Sequence, residues 1–230
     1  MKADKTPPIA YARLTGWLYL IIIVFGLFAE LGVRGRLVVP LDADATAANI
    51  LGAAGWFRLG FVADSIMLLS DVAVAVLLYV LLKPVNQMAS MAAAAFRLIQ
   101  AAVLGFNLLL YYAAVLLLSG ETYRAVFTPQ ELHSLALLFL EIHSHGYDLG
   151  LLFFGISSLI VGSLVRVRRS GYLPSMLGYG LIAAGMVYLA GSFIRFAGPG
   201  DVSIVQPAYV IPLVAELAFC SWLLVKGLRS

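Results

Sequence analysis

The chain has 230 residues, of which 62% are hydrophobic and 12% are charged. Because soluble domains carry about 25% charged residues, this composition excludes an ordinary soluble domain. The formal net charge of +3 is too small to indicate nucleic-acid binding. The single cysteine, Cys220, excludes an intrachain disulfide.

Long apolar runs alternate with short polar segments along the whole chain. Runs of about twenty continuous apolar residues are typical of transmembrane helices, whereas barrel strands alternate over about ten. We therefore predict an all-α, polytopic transmembrane helical bundle in a lipid bilayer, with residues 1–230 as a single integral-membrane domain. The six predicted spans are 11–31, 56–82, 92–118, 146–165, 175–196 and 207–225.

Two connections between spans carry helix-start signals. In the first polar connection, Asp44 or Thr46 is predicted to cap a short helix. Thr128 is predicted to cap a helix that has Pro129 at its first position. The helix over residues 130–141 is too short to cross a bilayer and polar on one side. We expect it to lie at the membrane interface before span four.

The basic residues predict the orientation, since cytoplasmic loops carry an excess of Lys and Arg. With both termini in the cytoplasm of a bacterium, ten basic residues lie at the inner side and five at the outer side of its inner membrane. The inner ten are Lys2, Lys5, Arg13, Lys83, Arg97, Arg166, Arg168, Arg169, Lys226 and Arg229. The outer five are Arg34, Arg36, Arg58, Arg124 and Arg195.

Charged residues inside the spans gather in their outer halves under this orientation. A charge within a span costs a few kcal/mol and usually marks a function or a partner. The candidates for one polar cavity that opens to the outside are Glu30, Arg58, Asp64, His145, Asp148, Arg195 and Glu216. Arg58 or Arg195 could neutralise Asp64 or Glu216. A second set, Asp71 and Arg97, is predicted to form an ion pair across neighbouring helices, with Gln100 nearby.

Glu141, His145 and Asp148 have the spacing of residues that share one helix face, whereas His143 points elsewhere unless Gly146 bends the helix. Three interpretations stay open for them. They could ligate a divalent metal such as zinc, handle protons through histidine, or make interfacial hydrogen bonds. The chain has no HExxH or CxxC spacing that would favour the metal.

Several short segments, taken in order, resemble a bacterial integral-membrane family catalogued as domain of unknown function 4386. These segments are Arg13–Tyr19, Asp44–Ile50, Arg58–Gly60, Leu82–Asn86, Phe153–Gly155, Ser170–Pro174, Leu177–Gly178 and Ala184–Leu189. The resemblance covers nearly the whole chain and implies a multi-span helical membrane protein without a known activity. It also implies that Arg58, Asp64, Asp71, Arg97 and His145–Gly146 belong to a shared framework.

Three functions remain open from the sequence. The favoured one is non-enzymatic, because no nucleotide-binding loop or nucleophile–base motif is present. The cavity would bind or pass a small solute or protons, with Asp64 and Asp71 as relay or binding acids and His145 as the titratable gate. Arg58 and Arg195 would be the counter-ions. The second is a metal-dependent hydrolase of a lipid-like substrate, with Glu141, His145 and Asp148 as ligands and Asp64 as acid and base. The third is an accessory subunit whose charges only pair helices.

Overall fold

A computed structural model describes residues 9–167, 173–198 and 206–227, and these residues are mostly helical, without a strand. Five of the basic residues assigned to the cytoplasmic side (Lys2, Lys5, Arg168, Arg169 and Arg229) lie outside them. The helices are α1 (Ile9–Leu27), a π-helix (Phe28–Arg34), α2 (Gly35–Leu37), α3 (Ala43–Gly52), α4 (Ala54–Leu82), α5 (Gln87–Ser119), α6 (Glu121–Arg124), α7 (Pro129–Arg166), α8 (Ser175–Ala197), a 3₁₀ turn (Gln206–Tyr209) and α9 (Val210–Val225).

Six helical segments are long and apolar enough to cross a membrane. They are Ile9–Leu37, Ala54–Leu82, Gln87–Ser119, Pro129–Arg166, Ser175–Ala197 and Gln206–Val225. The predicted all-α, polytopic helical bundle with six spans is therefore confirmed.

The first span is longer than the sequence predicts. Its predicted end is Leu31, but the helix continues through the π-helix and α2 as far as Leu37. Val33 and Leu37 are buried in a hydrophobic cluster, which favours continuing the helix past the charged Glu30. Arg34 therefore lies in a helix and not in a loop. The short helix in the next connection is capped by Asp42, whose Oδ1 accepts from the Ala45 N–H at 2.9 Å, and not by Asp44 or Thr46.

Residues 130–141 do not form a separate interfacial helix, because α7 runs without a break from Pro129 to Arg166. The predicted cap at Thr128 is present. Thr128 Oγ1 accepts from the Glu131 N–H at 3.4 Å, and the Glu131 carboxylate accepts from the Thr128 N–H at 2.8 Å, which together form a capping box. Leu132, Ala136 and Leu140 are buried along one face of the same helix. This buried face continues the helix into span four.

The chain folds into two compact units, which we name after the buried arginine of each. The Arg97 unit comprises the described residues of Met1–Ile21, Leu69–Ala102 and Asp148–Ser230. The Arg34 unit comprises Ile22–Leu68 and Val103–Tyr147. A single integral-membrane domain stays a prediction.

Small residues bring α7 and α8 close together in the Arg97 unit. A Cβ at Gly162 would lie 2.6 Å from the Gly178 carbonyl oxygen, and one at Gly185 would lie 2.7 Å from that of Gly155. Only glycine permits this distance between two backbones, which is a common way to pack membrane helices.

The Arg34 unit is built around a buried aromatic pair. The rings of Phe57 and Tyr111 stack with centroids 4.1 Å apart and an interplanar angle of 7°. The Tyr111 hydroxyl donates to the Phe57 carbonyl at 2.7 Å, so a polar group is satisfied inside an apolar core. Val33 and Ile50 belong to the same cluster, which joins the first span and α3 to α4 and α5.

Candidate functional site

Asp71 of α4 and Arg97 of α5 form an ion pair inside the Arg97 unit. Arg97 Nε donates to Asp71 Oδ1 at 2.7 Å, and its Nη2 lies 2.5 Å from the same oxygen. Each side chain is 3% exposed. The Gln100 side chain lies within reach of the Asp71 carboxyl. These residues therefore bring two opposite charges together out of contact with water.

Aromatic rings enclose the Arg97 guanidinium. Its Cζ lies 5.0 Å from the centroid of the Tyr19 ring and 4.8 Å from that of Phe154. At these distances both rings attract the cation. Tyr19 is 2% exposed, and its hydroxyl is within hydrogen-bonding reach of Arg97 and of Glu216. Tyr19 thus connects the ion pair to a third charged residue.

Glu216 of α9 is buried at 7% exposure. The Tyr188 hydroxyl of α8 donates to Glu216 Oε1 at 2.6 Å, and Tyr19 approaches the carboxyl as well. The sequence predicts Arg58 or Arg195 as the counter-ion of an acid in this position. The groups that meet the Glu216 carboxyl are tyrosine hydroxyls instead.

Asp148 and Arg195 pair at a half-buried position of the same unit. Arg195 Nε lies 2.7 Å from Asp148 Oδ2, and the two side chains are 17% and 18% exposed. Tyr209 is close enough for both charges to act on it, and its ring centroid lies 5.9 Å from that of Tyr188. Polar groups therefore continue from this pair, through Tyr209 and Tyr188, to Glu216.

Two small voids lie beside Arg97. Both are lined by Leu78, Arg97, Ser157 and Val161. One void reaches Tyr19 and Phe219, and the centre of a water molecule has about 10 Å³ of room in it, which is near the minimum for one water. The other void reaches Leu82 and Ser90 and has no room for a water molecule.

Asp64 has a different arginine partner from the one that the sequence predicts. Arg34 Nη1 donates to Asp64 Oδ2 at 2.5 Å, and Arg34 Nε donates to Glu30 Oε2 at 2.8 Å. The Arg34 Cζ also lies 5.8 Å from the Tyr111 ring centroid. Arg58 is exposed. Sequence reasoning missed Arg34 because it ended the first span at Leu31, although the Glu30–Arg34 spacing was a usable signal.

His143, not His145, is the buried histidine of α7, with 5% exposure. It exchanges two hydrogen bonds with Asn107 of α5. Asn107 Nδ2 donates to the His143 carbonyl at 2.8 Å, and His143 Nδ1 lies 3.0 Å from the Asn107 carbonyl oxygen. A Cβ at position 146 would collide with Asn107 Oδ1. Gly146 therefore makes room for Asn107, and α7 continues through this position.

The predicted metal ligands do not form a metal site in this structure. Within residues 9–167, 173–198 and 206–227, no three His, Cys, Asp or Glu side chains are arranged to hold a metal ion. Glu141 and His145 are exposed, and His145 Nδ1 lies 2.8 Å from the Glu141 carbonyl oxygen of its own helix. The metal-dependent chemistry stays a prediction without geometric support.

Comparison with known proteins assigns the chain to a family. The model of the family described as "Domain of unknown function (DUF4386)" matches residues 14–227. The chain belongs to this family. Within the DUF4386 match lie Tyr19, Asp71, Arg97, Tyr188 and Glu216. An uncharacterised protein of Archaeoglobus fulgidus is 32% identical over 162 residues, which cover 70% of this chain and 80% of that protein. No solved structure matches the chain.

Proposed function

We propose that this DUF4386 protein binds and passes protons across a membrane, and that Glu216 is the carboxyl that takes up and releases the proton. The observation that supports this proposal is that Glu216 is buried and that its carboxyl is surrounded by hydroxyl donors. A carboxyl held by Tyr188 and Tyr19 gains or loses a proton without breaking an ion pair. An intramembrane acid of this kind is a common element of proton relays.

The charges of the surrounding network support the same role. Asp71 and Arg97 neutralise one another at 2.5 Å, so the protonation of Glu216 decides whether the buried network is neutral or carries one negative charge. A net charge in a low-dielectric interior is costly. The free energy of the network therefore depends on one proton, which is what a carrier or relay needs.

The outward polar cavity predicted from Glu30, Arg58, Asp64, His145, Asp148, Arg195 and Glu216 enters this proposal in part. Asp148 and Arg195 belong to the same unit as Glu216 and are less deeply buried. In our proposal, Asp148 and Arg195 lie on the side of the membrane from which protons enter. With both termini in the cytoplasm, as the basic residues favour, this side faces out of a bacterial inner membrane.

Proton flux into liposomes tests the proposal. Purified protein is reconstituted with a pH-sensitive dye inside, and a potassium diffusion potential drives protons inward. We expect the wild type to acidify the lumen at least tenfold faster than protein-free vesicles, and Glu216→Gln to return to the protein-free rate. Glu141→Gln is the matched control, because it neutralises an exposed acid on a spanning helix and should keep the wild-type rate.

Infrared spectroscopy separates proton binding from flux. A pH titration of the wild type should show the carbonyl band of a protonated carboxyl that Glu216→Gln lacks and Glu141→Gln retains. Equal melting temperatures of the three proteins in detergent would show that folding is intact. Wild-type flux in folded Glu216→Gln, or no flux above protein-free vesicles in the wild type, would overturn the proposal.

A further inference from the structure

The Tyr188 hydroxyl makes a short hydrogen bond to the buried acid of the Arg97 unit. It donates to Glu216 Oε1 at 2.6 Å, a distance within the range of about 2.5–2.7 Å that is typical of a hydroxyl donating to a carboxylate. Tyr188 belongs to α8 and Glu216 to α9. One oxygen of the carboxyl is therefore held from a neighbouring helix.

Two aromatic side chains hold the Tyr188 ring in place. The Phe154 ring centroid lies 5.2 Å from that of Tyr188 at an interplanar angle of 65°, and the Tyr209 centroid lies 5.9 Å away at 67°. Both pairs have the edge-to-face geometry that aromatic rings prefer. Tyr209 fits here because Gly191 has no side chain, since a Cβ at that position would collide with the Tyr209 hydroxyl. The Tyr188 hydroxyl therefore has little freedom to leave Glu216.

The two oxygens of a carboxyl become different when it takes up a proton. One oxygen carries the hydrogen, and the other becomes a carbonyl oxygen that still accepts hydrogen bonds. Because the Tyr188 hydroxyl donates to Oε1, a hydrogen on Oε1 would face the hydrogen of that hydroxyl. A hydrogen on Oε2 leaves the bond from Tyr188 intact. The observed contact therefore favours Oε2 as the oxygen that binds the proton.

We infer that Tyr188 is a positioning residue for proton binding, because its hydroxyl holds Oε1 as the carbonyl oxygen and directs the proton to Oε2 of Glu216. The inference rests on the proposed function and deepens it by naming the oxygen that is protonated. A hydrated proton forms the new O–H bond at Oε2 and leaves water behind. On release the same bond breaks and water takes the proton, while the O–H bond of Tyr188 stays intact.

The infrared carbonyl band of protonated Glu216 tests this assignment, because a carbonyl that accepts a hydrogen bond absorbs at lower wavenumber than a free one. The band is identified as the one that Glu216→Gln lacks. Tyr188→Phe keeps the ring and removes the hydroxyl, so we expect the band to move to higher wavenumber. Tyr179→Phe is the matched control on the same helix. Because Tyr179 is 53% exposed, the loss of its hydroxyl should leave the band in place.

A fluorinated tyrosine at position 188 covers the case in which Tyr188→Phe does not fold. Its shape is close to that of tyrosine and its hydroxyl is a stronger donor, so the band should move to lower wavenumber. Proton flux into liposomes is measured on the same proteins. We expect Tyr188→Phe to slow flux by about tenfold or more, because a hydrogen bond to a charged group is lost, and Tyr179→Phe to keep the wild-type rate.

The outcomes separate this inference from the proton relay. If the proton lay on Oε1 and were donated to Tyr188, the carbonyl oxygen would be Oε2, and the band would keep its position in both variants of residue 188. That result, an equal displacement in Tyr179→Phe, or wild-type flux in folded Tyr188→Phe overturns the positioning role and leaves Glu216 as the proton-binding acid. Wild-type flux in folded Glu216→Gln overturns the relay, and the positioning role with it.

Discussion

The Arg97 and Arg34 networks are both built on an aspartate of α4, and they differ in how they meet water. Arg34 divides its donors between Asp64 and Glu30, and the Glu30 side chain is 62% exposed. Arg97 gives its donors to Asp71 and lies between the rings of Tyr19 and Phe154. The Arg34 network is therefore open to water at Glu30, whereas the charges of the Arg97 network have to be balanced by other protein groups.

The difference explains why we place the function in the Arg97 network. Solvent can compensate a change of charge at Glu30, so protonation there has little effect on the surrounding protein. A change of charge at Glu216 is felt by groups that have no water to relax with. A buried acid linked by hydroxyls to a neutral ion pair is suited to a relay, whereas an arginine shared with an exposed acid is suited to fixing a helix end.

The largest expected effect comes from removing the arginine of each pair. Arg97→Gln leaves Asp71 without its cation and should cost about 3–5 kcal/mol of unfolding free energy. Arg34→Gln should cost less, about 1–3 kcal/mol, because one of the two acids that Arg34 binds, Glu30, is 62% exposed to water. Unfolding of the detergent-solubilised protein by SDS, followed by circular dichroism, measures both.

A double substitution checks that unbalanced charge is the cause. Asp71→Asn combined with Arg97→Gln keeps a polar side chain at each position and removes both charges, so it should recover most of the loss seen in Arg97→Gln. An equal loss in Arg97→Gln and Arg34→Gln would show that the two networks do not differ in their access to water.

The sequence predicted the Arg97 network better than the Arg34 network for a physical reason. Asp71 and Arg97 are deep in apolar runs, where a charge needs a partner and few partners exist. Arg34 follows a run that already contains Glu30, so hydropathy ended the span there. Burial of Val33 and Leu37 against other helices, which no single run reveals, extends the helix. The tyrosine contacts of Glu216 depend on how α1, α8 and α9 are arranged, and periodicity does not encode that order.

The histidines show the same limit on a smaller scale. Helical spacing grouped Glu141, His145 and Asp148 on one face of α7, but it did not tell which side of that helix is covered by its neighbours. The neighbour that decides this is Asn107 of α5, which reaches α7 because Gly146 has no side chain. His143 is therefore buried because of its contact with Asn107, a residue on another helix.

The next largest effect concerns the buried and the exposed histidine of the Arg34 unit, His143 and His145. The His143 ring packs against Tyr111 with centroids 5.3 Å apart, and its Nδ1 bonds to the Asn107 carbonyl. His143→Ala should cost about 2–5 kcal/mol because it removes this bond and leaves a cavity. His145→Ala removes an exposed ring from the same helix and should stay within about 0.5 kcal/mol of wild type.

Thermal unfolding of the two variants in the same detergent gives the comparison. A loss in His145→Ala as large as that in His143→Ala would contradict the placement of His145 on the exposed side of α7. Elemental analysis of the same samples adds a check on the metal hypothesis. Zinc that is present in the wild type and absent from His145→Ala would contradict the arrangement described for Glu141 and His145.

The smallest expected effect tests whether the Arg34 network is open. Glu30→Gln removes a charge from an i, i+4 pair with Arg34 at the protein surface. It should cost less than about 1 kcal/mol, since exposed pairs are screened by water and salt. Asp64→Asn, made alone, is the matched change at the buried end of the Arg34 network. It should cost more because the Arg34 side chain is only 10% exposed.

The salt dependence of the two variants shows where water reaches the Arg34 network. If high salt reduces the effect of Glu30→Gln but not that of Asp64→Asn, water reaches the network at Glu30 and not at Asp64. Equal salt dependence would mean that both Glu30 and Asp64 meet solvent, which would contradict an Arg34 network that is open to water at Glu30 alone.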